Sequence, residues 1–365
     1  MRNCSFVKTV VFFLFCLCSA CALSFGKSLD EIVRELGGFS SPVQLENALK
    51  SLNATEKLKL RILVSAYKKN TREVEKLLTA LRKKKKKKVV VANTILLPSG
   101  RYVIVVDKRK EILYVVSQKK GMPFIVKKFP CITGKRLGDK LREGDQRTPE
   151  GIYFPLYWTS NLPPIYGIGA FPLNYPNLID RRILHRDGHG IWIHGTNNPD
   201  RPPHSSNGCI VLKNKHLKQL IPYVKVKETP VIIVEHIQYL PLGELEKERK
   251  SLLQFIYRWK SAWEKTPEDL KPYFSCYSKH FVWERGNLRT WKIYKRRVTS
   301  RKRWIRIKIK DIYLSKDGRV LEFGNLYVAS FKLIYDSNNY HSVGRKVLYI
   351  IKEDGQWKIL GEGNL

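Results

Sequence analysis

A run of six lysines, at residues 83–88, separates two parts of the chain that have different periodicities. Residues 23–88 carry repeated helix start signals, in which a capping residue precedes an apolar segment with helical spacing. These signals begin at Ser28, Ser41, Asn53 and Thr71. From residue 89 the pattern changes to short β-branched runs separated by turn residues. The sequence therefore predicts a helical N-terminal segment over residues 23–88, ending in a solvated lysine run, and a mostly β domain after it.

The β pattern continues to about residue 236 and is followed by a helical pattern. Its strand-like runs are separated by long segments rich in Gly, Pro and Asn, which on a β scaffold commonly carry function. These runs lie at residues 89–91, 102–106, 112–116, 124–133, 151–156, 190–194 and 231–236. Residues 244–263 then have apolar side chains at helical spacing, and three or four long alternating strands follow. We therefore expect a mostly β domain over residues 89–240 and an α+β cone, or half-barrel, over residues 245–365.

The first 22 residues have the pattern of a secretory signal peptide. Arg2 and Lys8 flank the start of an apolar run, and Ala20-Cys21-Ala22 has the form that signal peptidase accepts. The apolar core is about 10 residues long, which is too short to cross a bilayer comfortably. We predict cleavage after Ala22 and an exported, periplasmic protein. A lipoprotein signal ending at Cys21 and an uncleaved membrane anchor are the alternatives.

The charge of the chain indicates the kind of partner. There are 68 Lys and Arg against 32 Asp and Glu, which gives a formal net charge of +36. Such a surface attracts polyanions, namely nucleic acid, anionic lipid or acidic wall polymer. With 43% hydrophobic and 11% aromatic residues the chain has material for packed cores, so disorder over its full length is excluded. Because an exported protein rarely meets genomic DNA, we expect an anionic cell-envelope surface as the partner and no nucleic acid.

Cysteine usage points to one thiol with a chemical role. The chain has seven cysteines, and removal of the leader leaves Cys131, Cys209 and Cys276. Three cysteines cannot all pair within one chain. An exported protein with a leftover thiol raises the question of whether that thiol takes part in chemistry.

Residues 188–212 are the richest in groups that support catalysis. A strand-like run ends at His194, a loop of Pro, Asn and Ser follows, and Gly208-Cys209 leads into a second apolar run. A thiol is a weak nucleophile at its reference pKa of about 8.5, and a neighbouring imidazole can take its proton. Gly208 permits unusual backbone angles, and the amides from Gly208 to Ile210 are candidates for holding an oxyanion.

A structural role and a metal site are the alternatives for this segment. Most cysteines are buried and inert, and a histidine at a strand end is often satisfied locally. A metal site comes into question because His185, His189 and His204 share the segment with His194 and Cys209. The glycines on either side of His189 oppose the helix that would align it with His185, and beyond the leader there is no closely spaced cysteine pair. We therefore predict neither a metal nor a cofactor.

Several motifs resemble those of the YkuD-type L,D-transpeptidases, bacterial enzymes that remodel peptidoglycan through a cysteine acyl-enzyme. Ile193-His-Gly-Thr196 is followed by Ser206-Asn-Gly-Cys-Ile210, which looks like the signature of that family. Supporting segments occur in the family's order at residues 133–135, residues 144–153 and residues 171–176, the last with Asp180. The resemblance covers roughly residues 89–236, and it is specific because several separate motifs match at once.

This resemblance implies a YkuD-type β-sandwich with Cys209 as nucleophile, His194 as general base and the backbone carbonyl of Gly195 orienting the imidazole. Contacts to the substrate or the oxyanion are then expected from residues around the nucleophile and from the segment Thr148-Pro-Glu-Gly151. These residues are Gly208, Ile210, Ser206, Asn207, Thr148, Glu150 and His189. In the family the donor is a peptidoglycan stem peptide, cleaved between meso-diaminopimelate and D-alanine. The acyl group then passes to an amine, or to water, in which case the enzyme is an L,D-carboxypeptidase.

Two positions depart from the family pattern, and both flank the nucleophile. Asn207 stands where His or Lys is usual, and Val211 stands where Arg is usual, so the resemblance leaves the acyl acceptor open. Residues 171–176 together with a separate C-terminal domain look most like the cell-shape branch, whose members trim tetrapeptides to tripeptides. A non-catalytic wall-binding protein is the remaining alternative, and the presence of His194 together with Gly208-Cys209 disfavours it.

Residues 245–365 resemble a nuclear transport factor two-like domain. The resemblance rests on aromatic positions, namely Trp259, Trp263, residues 273–281 and residues 357–362. We expect the two tryptophans to pack in the core rather than contact a ligand. The domain is expected to serve as a substrate-binding or targeting module, or to form a homodimer through its open sheet. Ten Lys and Arg and no acidic residue occupy residues 292–310, which are expected to form one or two strands of this sheet.

Overall fold

The computed structural model describes residues 89–198 and 200–365. The predicted signal peptide, the predicted helical segment and the lysine run lie outside these residues. The strands are β1 (Val89–Val91), β2 (Thr94–Leu96), β3 (Val103–Asp107), β4 (Ile112–Lys119), β5 (Met122–Pro130), β6 (Gly151–Tyr153), β7 (Ala170–Pro172), β8 (Trp192–His194), β9 (Ile210–Val211), β10 (Val231–Val234), β11 (Tyr239–Pro241), β12 (Tyr277–Trp283), β13 (Gly286–Asn287), β14 (Ile305–Leu321), β15 (Gly324–Ser337), β16 (Tyr340–Glu353) and β17 (Gln356–Asn364). The α-helices are α1 (Leu178–Arg182), α2 (Asn214–Leu220), α3 (Leu242–Glu264), α4 (Lys271–Phe274) and α5 (Leu288–Thr299). Across this part of the chain, no helix combines the length and the apolar character needed to cross a bilayer.

A five-stranded sheet and a three-stranded sheet build the first domain. The larger sheet has the order β5-β4-β3-β10-β6, in which β10 runs parallel to β3 and the other neighbours are antiparallel. The smaller sheet has the order β7-β8-β9, with β8 and β9 parallel. Ile104 and Val115 of the larger sheet share one core with Ile193 and Ile210 of the smaller sheet. The prediction of a mostly β domain of sandwich type is confirmed.

A separate sheet of seven strands has the order β13-β12-β17-β16-β15-β14-β2. Helices α3 and α5 pack on one face of it, and there Trp259 and Trp263 are buried among other aromatic residues. The expectation that these two tryptophans belong to the core is confirmed. The edge strand β2 comes from the N-terminal side of the first domain and pairs with β14. The sequence pattern did not indicate this pairing.

The expectation that residues 292–310 form strands is wrong for the first part of that segment, which lies in α5. Asn287 begins the helix as its N-cap, and it forms a reciprocal capping box with Thr290. The inner face of the helix carries Lys295, a buried lysine, one turn after the buried Trp291. Because a lysine occupies a core position, the apolar periodicity of the helix is weak in the sequence.

The face of the seven-stranded sheet opposite α3 and α5 is partly covered by the first domain. Tyr313, Val328 and Tyr349 of the sheet share a core with Ile152 and Ile179 of the first domain. The two domains are therefore joined by apolar side chains that are almost completely buried.

Arg319 of β14 places a buried cation inside this contact. Its Nη1 donates to Asp180 Oδ1 over 2.7 Å, and its Nη2 donates to Asp317 Oδ2 over 2.9 Å. Gly151 leaves room for the guanidinium, because a Cβ at that position would lie 2.5 Å from Nη2. The C-terminal sheet therefore supports the backbone of β6 directly, just after the segment Thr148-Pro-Glu-Gly151.

Candidate active site

The three-stranded sheet places His194 and Cys209 on the same face. In the parallel register of β8 and β9, Ile193 lies beside Ile210 and His194 lies beside Val211. Ile193 and Ile210 are fully buried and point into the core. Because successive side chains of a strand point to opposite faces, His194 and the residue just before Ile210, Cys209, both project away from that core.

The His194 imidazole is held by the backbone that follows it. Its Nδ1 lies 2.5 Å from the carbonyl oxygen of Gly195, and Tyr166 packs edge-on against the ring at a centroid distance of 5.0 Å. Burial lowers the pKa of His194 to about 4; the hydrogen bond to Gly195 opposes this shift, and the charge of Arg201 adds to it. The ring is therefore neutral at pH 7. With Nδ1–H donating to Gly195, Nε2 is left with a free lone pair.

Cys209 is the partly exposed member of the three described cysteines, since Cys131 and Cys276 are buried. Its thiol donates to the carbonyl oxygen of Gly190 over 3.4 Å and is not hydrogen-bonded to His194. Burial raises the pKa of the Cys209 thiol, and a backbone hydrogen bond from Trp192 partly offsets the shift. The thiol is thus protonated at neutral pH, and it needs a base before it can act as a nucleophile.

The turn before Cys209 is locked by one hydroxyl. Ser206 Oγ accepts a hydrogen bond from the backbone N–H of Gly208 over 3.1 Å and donates to the carbonyl of Cys209 over 2.6 Å. Gly208 has φ +131°, and a Cβ there would lie 2.8 Å from the carbonyl oxygen of Arg147. The nucleophile therefore sits on a tight turn that packs against the segment leading to Thr148.

The chain matches the L,D-transpeptidase catalytic domain family, YkuD, over residues 101–233, and the Cds6 C-terminal NTF2-like domain over residues 251–363. Among solved structures, Bd1075 of Bdellovibrio bacteriovorus is 30% identical; the match covers 76% of this chain and 98% of that protein, with a TM-score of 0.62. The helical cell shape determining protein Pgp2 of Campylobacter jejuni is also 30% identical, with coverage of 75% of this chain and 95% of Pgp2 and a TM-score of 0.62.

The chain belongs to the L,D-transpeptidase (YkuD) family. It combines that catalytic domain with a C-terminal NTF2-like domain, as the sequence motifs suggested. No curated protein sequence matches the chain.

The remaining residues that the L,D-transpeptidase resemblance singled out lie at different distances from the thiol turn. Thr148 Oγ1 accepts from the backbone N–H of Gly134, and Glu150 pairs with Lys108 over 3.0 Å, so both brace the neighbouring wall. Asn207 is exposed at the turn itself. His189 is exposed and lies 3.3 Å from Glu143. The structure thus places His189 in contact with a surface carboxylate and does not hydrogen-bond it to the thiol.

Two residues of this L,D-transpeptidase domain were missed from the sequence. Lys108 is 3% exposed, and its Nζ donates to the carbonyl oxygens of Gly138 and Thr148. Only the fold brings these groups together, so no local signal could have revealed Lys108. Arg201 is the sole Lys or Arg between His194 and Cys209, and this isolation was a usable signal.

A cavity of about 450 Å³ is lined by Arg201, which lies in the loop that joins His194 to Cys209. Its other lining residues are Pro164, Ile165, Thr196, Asn197, Asn198, Pro202 and Ser205. Arg201 is anchored through Ser205, since Nε donates to Oγ and Nη2 donates to the carbonyl, each over 3.2 Å. The charge of Arg201 lowers the pKa of both His194 and Cys209, which places the guanidinium within electrostatic reach of the pair.

The NTF2-like domain contains a second cluster of buried titratable groups. Glu362 accepts from Lys346 Nζ over 2.7 Å and from the Tyr277 hydroxyl over 2.8 Å. Lys295 lies over the ring of Trp263 at 4.2 Å from its centroid. Burial lowers the pKa of Lys295 to about 7, and the charge of Glu362 opposes this shift. The predicted substrate-binding or targeting role of this domain stays a prediction, as does a homodimer.

Within residues 89–198 and 200–365, no group of three or more His, Cys, Asp or Glu side chains is arranged to hold a metal ion.

Proposed function

We propose that the protein is an exported peptidoglycan-remodelling enzyme that forms an acyl-enzyme on Cys209 at the meso-diaminopimelate–D-alanine bond of a stem peptide. The observation that carries this proposal is the neutral His194 imidazole, oriented by the Gly195 carbonyl and projecting from the same sheet face as the Cys209 thiol. The membership in the L,D-transpeptidase family supports the choice of substrate.

The first half-reaction begins when the Cys209 thiol turns from Gly190 towards His194. Nε2 takes the thiol proton, and the thiolate sulfur attacks the carbonyl carbon of diaminopimelate. The C–N bond then breaks, and the imidazolium gives its proton to the amine of the departing D-alanine. Because burial disfavours the charged ring, the proton is readily passed on.

In the second half-reaction the thioester is attacked by an acceptor. Nε2 takes a proton from an incoming amine or water, the C–S bond breaks, and the proton returns to the sulfur. With an amine the product is a cross-linked or otherwise attached peptide. With water the product is a tripeptide, and the enzyme acts as an L,D-carboxypeptidase.

Arg201 supports a tetrapeptide donor. A donor that ends in D-alanine carries a free carboxylate one residue beyond the scissile bond. We assign the binding of this carboxylate to the Arg201 guanidinium, because it lines a cavity in the loop between His194 and Cys209 and is held there by Ser205. Arg201→Gln should raise the KM for tetrapeptide several-fold while kcat changes less.

A strict L,D-carboxypeptidase is the second candidate function. The chain covers 95% of Pgp2, which is a helical cell shape determining protein of Campylobacter jejuni. This similarity supports a role in cell shape, through trimming of tetrapeptides to tripeptides in the periplasm.

Incubation of the protein with disaccharide-tetrapeptide muropeptides, followed by mass spectrometry, tests both candidates. Loss of one D-alanine from the monomer indicates carboxypeptidase activity, whereas dimers indicate transpeptidation. Cys209→Ala should give neither product. If the wild-type protein also gives neither product, a non-catalytic wall-binding role is favoured instead.

A further inference from the structure

The face of the seven-stranded sheet that points away from α3 and α5 has two regions of opposite character. Where the first domain covers it, the side chains are apolar, as at Tyr313, Val328 and Tyr349. The apolar core shared with the first domain ends at the bulge between Lys310 and Tyr313. On the side of this bulge towards the start of β14, the exposed side chains are mostly basic. The uncovered region comprises the start of β14, the end of β15 and the start of β16.

Strand register defines a compact group of cations in this region. Arg306, Lys308 and Lys310 are exposed and alternate with Ile305 and Ile307, which are buried against the helices. Lys332 of β15 is exposed and lies directly opposite Lys310. Side chains on one face of a sheet repeat at about 7 Å along a strand and about 5 Å between strands. We call Arg306, Lys308, Lys310 and Lys332 the cationic face.

The cations of this face are not held in ion pairs. Across residues 89–198 and 200–365, none of its four side chains has a carboxylate oxygen within 4.0 Å. Asp336 lies opposite Arg306 in the register but pairs with His341. Like charges fixed this close repel each other, so an anionic partner relieves that repulsion.

Exposed apolar side chains are set among these cations. Ile334 lies opposite Lys308 on one side and opposite Val343 on the other, and Val343 is 53% exposed. Trp304, just before β14, is 42% exposed, and the Arg306 guanidinium lies 5.2 Å from its ring centroid. A mixture of basic, aromatic and aliphatic side chains on one face is the composition that settles at a bilayer surface.

We propose that the cationic face, with Trp304 and Val343, docks the protein on a bilayer surface rich in anionic phospholipid headgroups. The four cations fit the negative surface potential, and the apolar side chains gain burial at the headgroup boundary. A soluble polyanion would leave Val343 and Trp304 in water. A second copy of the same face would bring like charges together.

Sedimentation with lipid vesicles tests the proposal, using protein purified after export so that every variant has the same N-terminus. The wild type should bind vesicles with 30 mol% phosphatidylglycerol and not pure phosphatidylcholine vesicles. The quadruple variant R306Q/K308Q/K310Q/K332Q should bind about 600-fold more weakly, since each cation near an anionic surface contributes about fivefold. Its turnover of muropeptides should stay at the wild-type level, which shows that it is folded.

The matched control K119Q/K127Q/K215Q/K218Q removes four exposed cations elsewhere, and none of them forms an ion pair within the described part of the chain. At 0.1 M salt it should bind within about twofold of the wild type, because charges beyond about 10 Å are screened. Equal losses in the two quadruple variants would overturn the proposal. The double variant W304S/V343S should weaken vesicle binding but not binding to polyphosphate or duplex DNA. If the wild type binds these soluble polyanions as tightly as vesicles, and W304S/V343S changes neither, the bilayer assignment is wrong.

Discussion

Replacing Arg319 with Met should destabilise the protein strongly, because two buried carboxylates lose their partner. Arg319 is 8% exposed, and Asp180 and Asp317 are 0% and 2% exposed. Removal of one partner from a buried ion pair typically costs about 3–5 kcal/mol. For a cooperative unit of this size, 1 kcal/mol corresponds to about 2–4 °C in Tm, so we expect a loss of about 10 °C.

The cost of Arg319→Met should depend on pH. Burial already raises the pKa of Asp180 in the wild type, and the charge of Arg319 opposes that shift. Without Arg319 the pKa of Asp180 in the folded state rises further above its value in the unfolded chain. The folded variant then binds more protons than the unfolded chain, so its stability increases as the pH falls. The gap between wild type and variant should therefore be smaller at pH 5 than at pH 8.

Urea unfolding followed by circular dichroism at both pH values measures these quantities. The double variant D180N/R319M should recover part of the loss, because it removes one of the unpaired charges. Arg181→Met is the matched control: its ion pair with Glu284 is exposed, so the free energy of unfolding should change by less than about 1 kcal/mol. A loss below 1 kcal/mol for Arg319→Met, or a double variant no more stable than the single one, would refute this account.

Three further predictions concern His194 and Lys295. His194→Gln should lower muropeptide turnover by about 10²–10⁴-fold and slow iodoacetamide labelling of Cys209 at pH 7; equal labelling rates would argue against the base assignment. Because burial lowers the pKa of His194 to about 4, kcat/KM should hold between pH 7 and pH 5 and fall only near pH 4, and an acid limb near pH 6.5 would contradict the neutral, buried ring. The pKa of Lys295 is about 7 in the folded protein and higher in the unfolded chain, so above pH 7 the unfolded chain binds more protons than the folded protein. The free energy of unfolding of the wild type should therefore rise from pH 7 to pH 10. Lys295→Met should flatten this rise, as measured by urea titration.

The catalytic pair could be predicted from the sequence because its determinants are local. His194 ends one apolar run of the sequence, and Cys209 directly precedes the next one. The pairing of Ile193 with Ile210 is then enough to place both side chains on the same face of the sheet. Arg201 was also within reach of the sequence, as an isolated cation in the loop that joins them. The same locality explains why the β character of the first domain and the helix α3 were predicted correctly.

The contacts that hold the two domains together could not be predicted in this way. Arg319 and Asp180 are 139 residues apart, and nothing in either neighbourhood indicates the other. Helix α5 was missed for a different reason, since Lys295 replaces an apolar residue on its inner face and is accommodated there by aromatic rings. Burial of a charged side chain is a tertiary event that no periodicity reveals.

The pairing of β2 with β14 also constrains the order in which the protein folds during synthesis. Asn93 Nδ2 donates to the carbonyl oxygen of Lys316, across 223 residues of chain. A polypeptide is synthesised from its amino end, so β2 remains unpaired until the catalytic domain and then β14 have been synthesised. The seven-stranded sheet can therefore be completed only late, after the last third of the chain has been synthesised. A catalytic domain cut off near residue 240 would lack β14, the pairing partner of β2, and it would expose the apolar side chains that pack against the C-terminal sheet.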